Sequence, residues 1–200
     1  MNKSVMLKDI AQVRVGKSFK TAVVDDKVNG DVLYLSIGDI NAGKSVSESS
    51  LDRLVSEEGD ERYQLKPSSI LLPMRGLAMT PLLLKDDFSL PVITSSHVAI
   101  IDCDGSIADP YYIQWYLGGR TIKRYFETIT EGSNIKKITK VTLSNAPVEL
   151  PSLEVQKQIG KVQKNWSLQK IAHEKLIDNG DAYFNEICWK LATGSVVGVN

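Results

Sequence analysis

Cysteine and histidine are scarce in this chain of 200 residues, at two each. Cys103 and Cys188 lie far apart with no CxxC, and with two dispersed histidines they match no zinc spacing. A disulfide framework and a structural metal are excluded, and both thiols are expected to be buried in a reducing cytoplasm. Long hydrophobic runs are missing too: nothing approaches the roughly 18 apolar residues of a membrane span. The start, Met1-Asn-Lys-Ser-Val-Met-Leu-Lys-Asp, has no apolar core of the kind that marks a secretory signal. Nor is there an excess of one charge, since 24 Lys+Arg face 24 Asp+Glu for a net charge of zero. Whole-chain electrostatics therefore give no argument for nucleic acid, and any such binding must come from local patches. Catalytic constellations are absent as well. No G-x-S-x-G occurs, and Ser95-Ser96-His97 is local sequence in which His97 reads as a strand-edge residue. Asp25-Asp26, Glu57-Glu58 and Asp86-Asp87 read as solvated turns that nothing pairs as acid and base. No catalytic residue, metal or cofactor is expected.

What is present is ordinary globular composition, 42% hydrophobic and 24% charged. A chain of this length buries roughly 70% of its unfolded surface, enough for one domain and an appendage. Residues 1–150 read as the domain, with short apolar runs bounded by Gly, Pro, Asp or Asn. Val32–Ile37, Ser69–Leu72, Pro81–Leu84 and Val98–Ile101 are the expected strands. Helices are expected at Ser50–Glu58, with Leu51, Leu54 and Val55 on one face, at Pro110–Leu117 and at Thr121–Thr128. Asp109 should cap the second of these, with Pro110 at the first helical position where its missing donor is harmless. Short elements without strict strand–helix alternation indicate an α+β fold.

Residues 151–200 differ in texture. Leu153–Ala192 contains no proline and only Gly160 and Gly180, and it reads as one long helix with a break allowed near Asn179-Gly180. Ser152 is the expected N-cap, and Glu154 in the first turn complements the helix dipole. Val155, Ile159, Val162, Trp166 and Leu176, then Tyr183 and Ile187, follow the 4-3 spacing of a coiled-coil seam. Gln169 and His173 share that seam, where polar groups cost stability but can fix register and partner number. The stripe is too long for one small domain to cover, so it is expected to meet a partner helix.

Gly38-Asp-Ile-Asn-Ala-Gly43-Lys44-Ser45 matches the phosphate-loop pattern G-x-x-x-x-G-K-[ST], after a candidate strand, and Val98–Asp102 could supply a metal-supporting aspartate. A small nucleotide hydrolase is the alternative reading. Against it stand the following Ser-Val-Ser-Glu-Ser-Ser, whose hydroxyls compete for backbone hydrogen bonds, and the lack of βαβ alternation.

Positive charge is concentrated locally. Arg120, Lys123, Arg124, Lys136, Lys137 and Lys140 face only Glu127 and Glu131 between positions 118 and 140, beside Tyr125, Phe126, Ser133 and Asn134. Cations next to planar and hydrogen-bonding groups suit phosphate and groove contacts. Arg14, Lys17 and Lys20 form a second basic stretch. Arg75, in Pro73-Met-Arg-Gly76, could reach a guanine edge bidentately. Candidate DNA contacts are therefore Lys17, Lys20, Arg75, Lys123, Arg124, Asn134, Lys136, Lys137 and Lys140.

Several stretches, taken in order, resemble one family. They are Leu7-Lys-Asp-Ile-Ala-Gln-Val with Gly16-Lys17, Tyr34-Leu-Ser-Ile-Gly-Asp-Ile-Asn41, Tyr63–Leu72, Ser96–Ile101, Asp109-Pro-Tyr-Tyr-Ile-Gln-Trp-Tyr-Leu117 and Gly132-Ser133. The closing Val148-Glu-Leu-Pro-Ser-Leu-Glu-Val-Gln-Lys-Gln-Ile159 resembles a Pro-Pro-Leu-x-Glu-Gln segment leading into a long helix. Together they resemble the target recognition domain of a type I restriction-modification specificity subunit. Departures are Ser68-Ser69-Ile70-Leu71 for the usual Gly-Asp-Ile-Leu, Ser152 for a proline, and Val155 for the glutamate before Gln156.

The resemblance implies a non-catalytic reader of double-stranded DNA that recognises half of a bipartite site. Its helix would space the domain and attach methyltransferase subunits, with translocating restriction subunits joining afterward. The usual member has two recognition domains and two helical regions, and this sequence has one of each. A half-sized subunit is the resulting expectation, pairing antiparallel with a second copy through Val155, Ile159, Val162, Trp166, Gln169, His173 and Leu176.

Overall fold

The structure, a computed structural model, describes residues 3–41, 46–76, 79–84, 88–130 and 137–194. It is α+β and divides into two compact units, residues 1–163 and 164–200. In order, the elements are β1 (Lys3–Met6), β2 (Ala11–Val15), β3 (Val32–Leu35), α1 (Ile37–Asn41), β4 (Asp52–Leu54), β5 (Ile70–Pro73), β6 (Leu82–Leu83), β7 (Val92–Thr94) and β8 (Val98–Cys103). Then come α2 (Pro110–Gly118), α3 (Arg120–Thr130), α4 (Lys140–Ser144), β9 (Pro147–Leu150) and α5 (Leu153–Ala192).

An antiparallel sheet of order β2-β8-β5-β6 forms the middle layer. Its central strands read Ile70-Leu-Leu72 and Val98-Ala-Ile-Ile101, unbroken apolar runs, because both faces are covered. On one face Ile70, Leu72, Ala99 and Ile101 join Leu7, Ile113, Leu117, Ile122, Ile138, Leu143 and Val148 in the larger core. On the other, Leu71, Val98 and Ile100 meet Leu33, Leu35, Ile40, Leu51 and Val92. Leu33, Leu35 and Val92 belong to a second sheet of order β4-β3-β7, in which β3 is antiparallel to β4 and parallel to β7, while Ile40 comes from α1 and Leu51 precedes β4. β1 and β9 pair separately, with Lys3 opposite Leu150 and Met6 opposite Pro147.

Two sequence expectations are corrected. Ser50–Glu58 is not a helix: a 3-10 turn at Glu48–Ser50 leads into β4. Ser50 Oγ donates to the Ser47 carbonyl at 2.7 Å, one of the local hydroxyl bonds that compete with a helix. Leu51 is buried and Val55 is 56% exposed, so the two do not share one covered face. The strand expected at Val32–Ile37 stops at Leu35, because Ser36 starts α1. The Ser36 hydroxyl accepts from the Asp39 amide at 3.2 Å, and the Asp39 carboxylate accepts from the Ser36 amide at 2.8 Å, a reciprocal cap.

α2 forms as its sequence dictates, with the Asp109 carboxylate accepting from the Tyr112 amide at 3.0 Å and Pro110 in the first turn. α5 runs unbroken through Gly180, and Ser152 Oγ accepts from the Val155 amide at 3.5 Å. Its first turns pack on the domain through Gln156, a buried side chain that clamps three backbone groups. Gln156 Oε1 accepts from the Asp109 amide at 3.0 Å, and its Nε2 donates to the carbonyls of Ile107 (3.1 Å) and Pro151 (2.9 Å). One turn later Gly160 admits α2, since a Cβ there would stand 2.6 Å from Asp109 Oδ1 and 3.1 Å from Tyr111 Cβ. Alanine would gain about 1 kcal/mol of helix propensity. The crowded Asp109 carboxylate is already fixed as a cap, so we expect Gly160→Ala to destabilise by about 1–2 kcal/mol net, read as a lowered Tm in thermal unfolding.

Candidate nucleic-acid interface

The basic surface is assembled by long-range pairing. β5 ends at Pro73, and Met74 continues the chain with its amide donating to the His97 carbonyl at 2.9 Å. The Met74 carbonyl accepts from the Ile138 amide at 2.8 Å, and Arg75 and Lys137 form an antiparallel bridge. Met74 and Ile138 are buried, so both backbones are anchored while Arg75 and Lys137 stay exposed. Gly76 follows with φ of +104°, a left-handed turn that suits glycine. Lys140 opens α4 and is also exposed, and Thr139 caps that helix by accepting from the Thr142 amide at 3.1 Å.

α3 carries the other expected cations. Ile122 and Phe126 bury one face in the larger core, which leaves Arg120, Lys123 and Arg124 exposed. None of Arg75, Arg120, Lys123, Arg124, Lys137 and Lys140 forms an ion pair with another described residue. Exposed cations that no described carboxylate pairs are suited to a polyanion. Asn134 and Lys136, also expected here, lie outside the described residues.

The cations of the second basic stretch differ in exposure. Lys20 is exposed, but Lys17 turns inward: its Nζ donates to Glu57 Oε2 at 2.7 Å and Asp60 Oδ2 at 2.8 Å, and it lies 5.4 Å from the Phe19 ring centroid. Its side chain is 12% exposed and that of Asp60 7%, so the charge is neutralised internally and is corrected from DNA contact to fold support. Arg14 is likewise internal, donating from Nε to Asp102 at 3.0 Å and from Nη2 to the Gln64 carbonyl at 2.7 Å. Which cations face solvent depends on carboxylates some forty residues or more away, and no local signal reports it.

Burial alone pushes the Asp60 carboxyl up, but the Lys17 ammonium and the Glu57 amide outweigh it and hold it below the usual carboxylate range. Burial also opposes the Lys17 charge, yet the hydrogen bonds to Asp60 and Glu57 hold it above the usual lysine value. A depressed carboxyl gives stability above its unfolded pKa that is lost as pH falls through the folded one. A raised lysine gives stability below its unfolded pKa that is lost as pH rises through the folded one. The pair thus supports the fold across the neutral range, and its support begins to fall away only below about pH 4 and above about pH 10.5. Lys17→Met strands the Asp60 charge, so chemical denaturation at pH 7 should show a loss of about 3 kcal/mol, shrinking as pH falls below 4.

The phosphate-loop reading loses its geometry. Gly38 lies inside α1 rather than in a loop after the strand, while Gly43, Lys44 and Ser45 lie outside the described residues. Asp102 stands on β8, in a different sheet from β3, and binds Arg14 and the Ser69 hydroxyl. Asp86 and Asp87 are likewise outside the described residues.

The two thiols differ from each other. Burial, with Asp102 and Asp109 nearby, pushes Cys103 up to about 12, which makes it an unreactive thiol at neutral pH. Cys188 is exposed rather than buried. Among the described residues no cluster of His, Cys, Asp or Glu could hold a metal ion, and no helix is long and apolar enough to cross a membrane.

On α5 the expected seam is exposed: Val155 by 41%, Val162 by 70%, Trp166 by 54% and Leu176 by 69%. Gln169 and His173 are exposed between them, while Ile159 is half-buried against the larger core.

No curated protein matches the chain. Among solved structures, the HsdS subunit from Thermoanaerobacter tengcongensis is similar at 18% identity and a TM-score of 0.58, over 88% of this chain and 39% of that one. The type I restriction-modification system S subunit from M. genitalium is similar at 12% identity and a TM-score of 0.64, over 96% of this chain and 46% of that one. A chain from a type I R-M system, solved for its complex assembly and conformational transition, gives 16% identity and a TM-score of 0.64, over 93% and 43%. The chain thus spans under half the length of these relatives, with which it shares the fold. The type I restriction modification DNA specificity domain matches residues 2–179, most of the compact unit and much of the long helix, and the chain belongs to that family.

Proposed function

We propose that the chain is a non-catalytic DNA-recognition subunit of a type I restriction-modification system, acting in the cytoplasm. Residues 1–150 are the target recognition domain, which reads one half of a bipartite duplex site. Residues 151–200 are the region whose helix, α5, pairs with a second copy and docks methyltransferase subunits, with restriction subunits joining afterward. The observation that carries this reading is the specificity-domain match over residues 2–179.

The basic surface supplies the physical contact. Lys123, Arg124, Lys136, Lys137 and Lys140 neutralise phosphates, Lys20 does so from a separate stretch, and Asn134 hydrogen-bonds to a phosphate oxygen. Arg75 is the base-reading candidate, because the Met74–Ile138 bond fixes its backbone and leaves its guanidinium in solvent. Two copies joined by their helices would present two domains to an inverted repeat.

Light scattering on the eluting peak at tens of micromolar tests the pairing. A dimer is expected, and a monomer would remove the second-copy part of the reading.

A further inference from the structure

Resting on the proposed reading of duplex sequence by residues 1–150, we infer that His97 is a second specificity-determining residue, whose imidazole reads a purine within about two base pairs of the contact made by Arg75. Ser95-Ser96-His97-Val98 is the tight turn between β7 and β8, in which the Val98 amide donates to the Ser95 carbonyl at 3.0 Å. His97 stands at a corner of that turn and is exposed.

The turn is held from both sides. On one flank the His97 carbonyl accepts from the Met74 amide at 2.9 Å, and the Met74 carbonyl accepts from the Ile138 amide at 2.8 Å. His97, Met74 and Ile138 thus lie side by side on adjoining backbones, with Arg75 and Lys137 bridged one residue further along. On the other flank the Lys17 amide donates to the Thr94 carbonyl and the Ser96 amide to the Lys17 carbonyl, both at 2.8 Å. Gly16 packs so closely there that a Cβ would stand 2.1 Å from the Thr94 carbonyl oxygen. Thr94, Val98 and Met74 are buried. An exposed ring on a backbone fixed in this way meets a ligand without the cost of ordering a loop.

Spacing brings the ring to the base that Arg75 reaches. Adjoining backbones run about 4.8 Å apart and stacked base pairs about 3.4 Å, so side chains from the two backbones fall on the same or neighbouring steps. Chemistry selects a base edge over a phosphate. A neutral imidazole offers one N–H donor and one acceptor nitrogen on a rigid ring. Lys17, on the flank of the turn, is neutralised by Glu57 and Asp60, so that flank presents no spare positive charge to a phosphate. In the major groove a purine N7 accepts a single N–H, and guanine sets the O6 acceptor beside it.

Fluorescence anisotropy tests this with the full chain, using the duplex that the parent protein enriches from a randomised pool and every single-base-pair variant of it. The parent should discriminate about tenfold or more at two positions within about two base pairs of each other. Arg75→Ala should lose the preference at one and His97→Ala at the other, each to below about threefold. His97→Gln should discriminate again at its own position, now for adenine, whose N6 and N7 a glutamine amide meets together. Both His97 variants should unfold at the parent's Tm, because backbone bonds hold the turn. Should His97→Ala unfold earlier, His97→Gln alone decides. The inference is overturned if the His97 variants keep every preference of the parent, or if they weaken all duplexes alike, as loss of a phosphate contact does. A parent that binds every duplex alike fails the reading of the domain itself, whereas a selective parent with such variants fails only the role of His97.

Discussion

Replacing Lys123, Arg124, Lys137 and Lys140 together with alanine is expected to lower duplex affinity by about a hundredfold or more near physiological salt. The same variant should flatten the dependence of log K on log salt by about 0.9 for each phosphate it no longer neutralises, hence by about 3–4. All four side chains are exposed and sit on elements held by other residues, Ile122 and Phe126 for α3 and Ile138 for the 137–140 segment. Unfolding free energy should therefore stay within about 0.5 kcal/mol of the parent, which separates a binding defect from a folding defect. Salt titration of fluorescence anisotropy on a labelled duplex reads both affinity and slope. An unchanged slope would place the phosphate surface elsewhere. Arg75→Ala should behave differently, relaxing discrimination at one base pair by about 1–3 kcal/mol, since a bidentate bond to a base edge carries sequence information.

The second large effect is on assembly. Val162→Asp with Trp166→Asp places two carboxylates per chain in the helix seam, where pairing would desolvate them without partners. Both positions are exposed in the single chain, so the helix tolerates the change at the cost of ordinary propensity differences. Dimerisation should weaken by at least about a thousandfold and leave a monomer at tens of micromolar by light scattering. Such a monomer would still bind a half site and would forgo the gain of a tethered second domain. A dimer that survives both aspartates would show that another surface pairs the copies.

Much of the helical architecture is legible in the sequence because its signals are local. Asp109-Pro110 announces α2, and Ser152 with Glu154 and the absence of proline announces α5. Strands set by distant partners are not legible: β1 has no alternation of its own and is defined by β9, nearly 150 residues on. Ser50–Glu58 misleads for a related reason, since helical spacing of Leu51, Leu54 and Val55 says nothing about β3, which captures the segment as β4. The basic candidates split in the same way. Residues 120–140 stand close in sequence, and α3 shows its buried and charged faces by periodicity. That Arg75 joins Lys137, and that Lys17 and Arg14 turn inward, follows from pairings across some forty to ninety residues. Gln156 carries no signal of its own in the sequence beyond its place in a family-like segment, and its three-way clamp on the start of α2 appears only in the fold.

The central claim, that this domain reads duplex sequence, is tested most directly by selection from a randomised duplex pool. The full chain would be used alone and with methyltransferase subunits, and the bound DNA sequenced. The account predicts enrichment of two short inverted elements at one fixed spacing, with Arg75→Ala relaxing a single position in each element. Retention of DNA with no enriched sequence under either condition would contradict it.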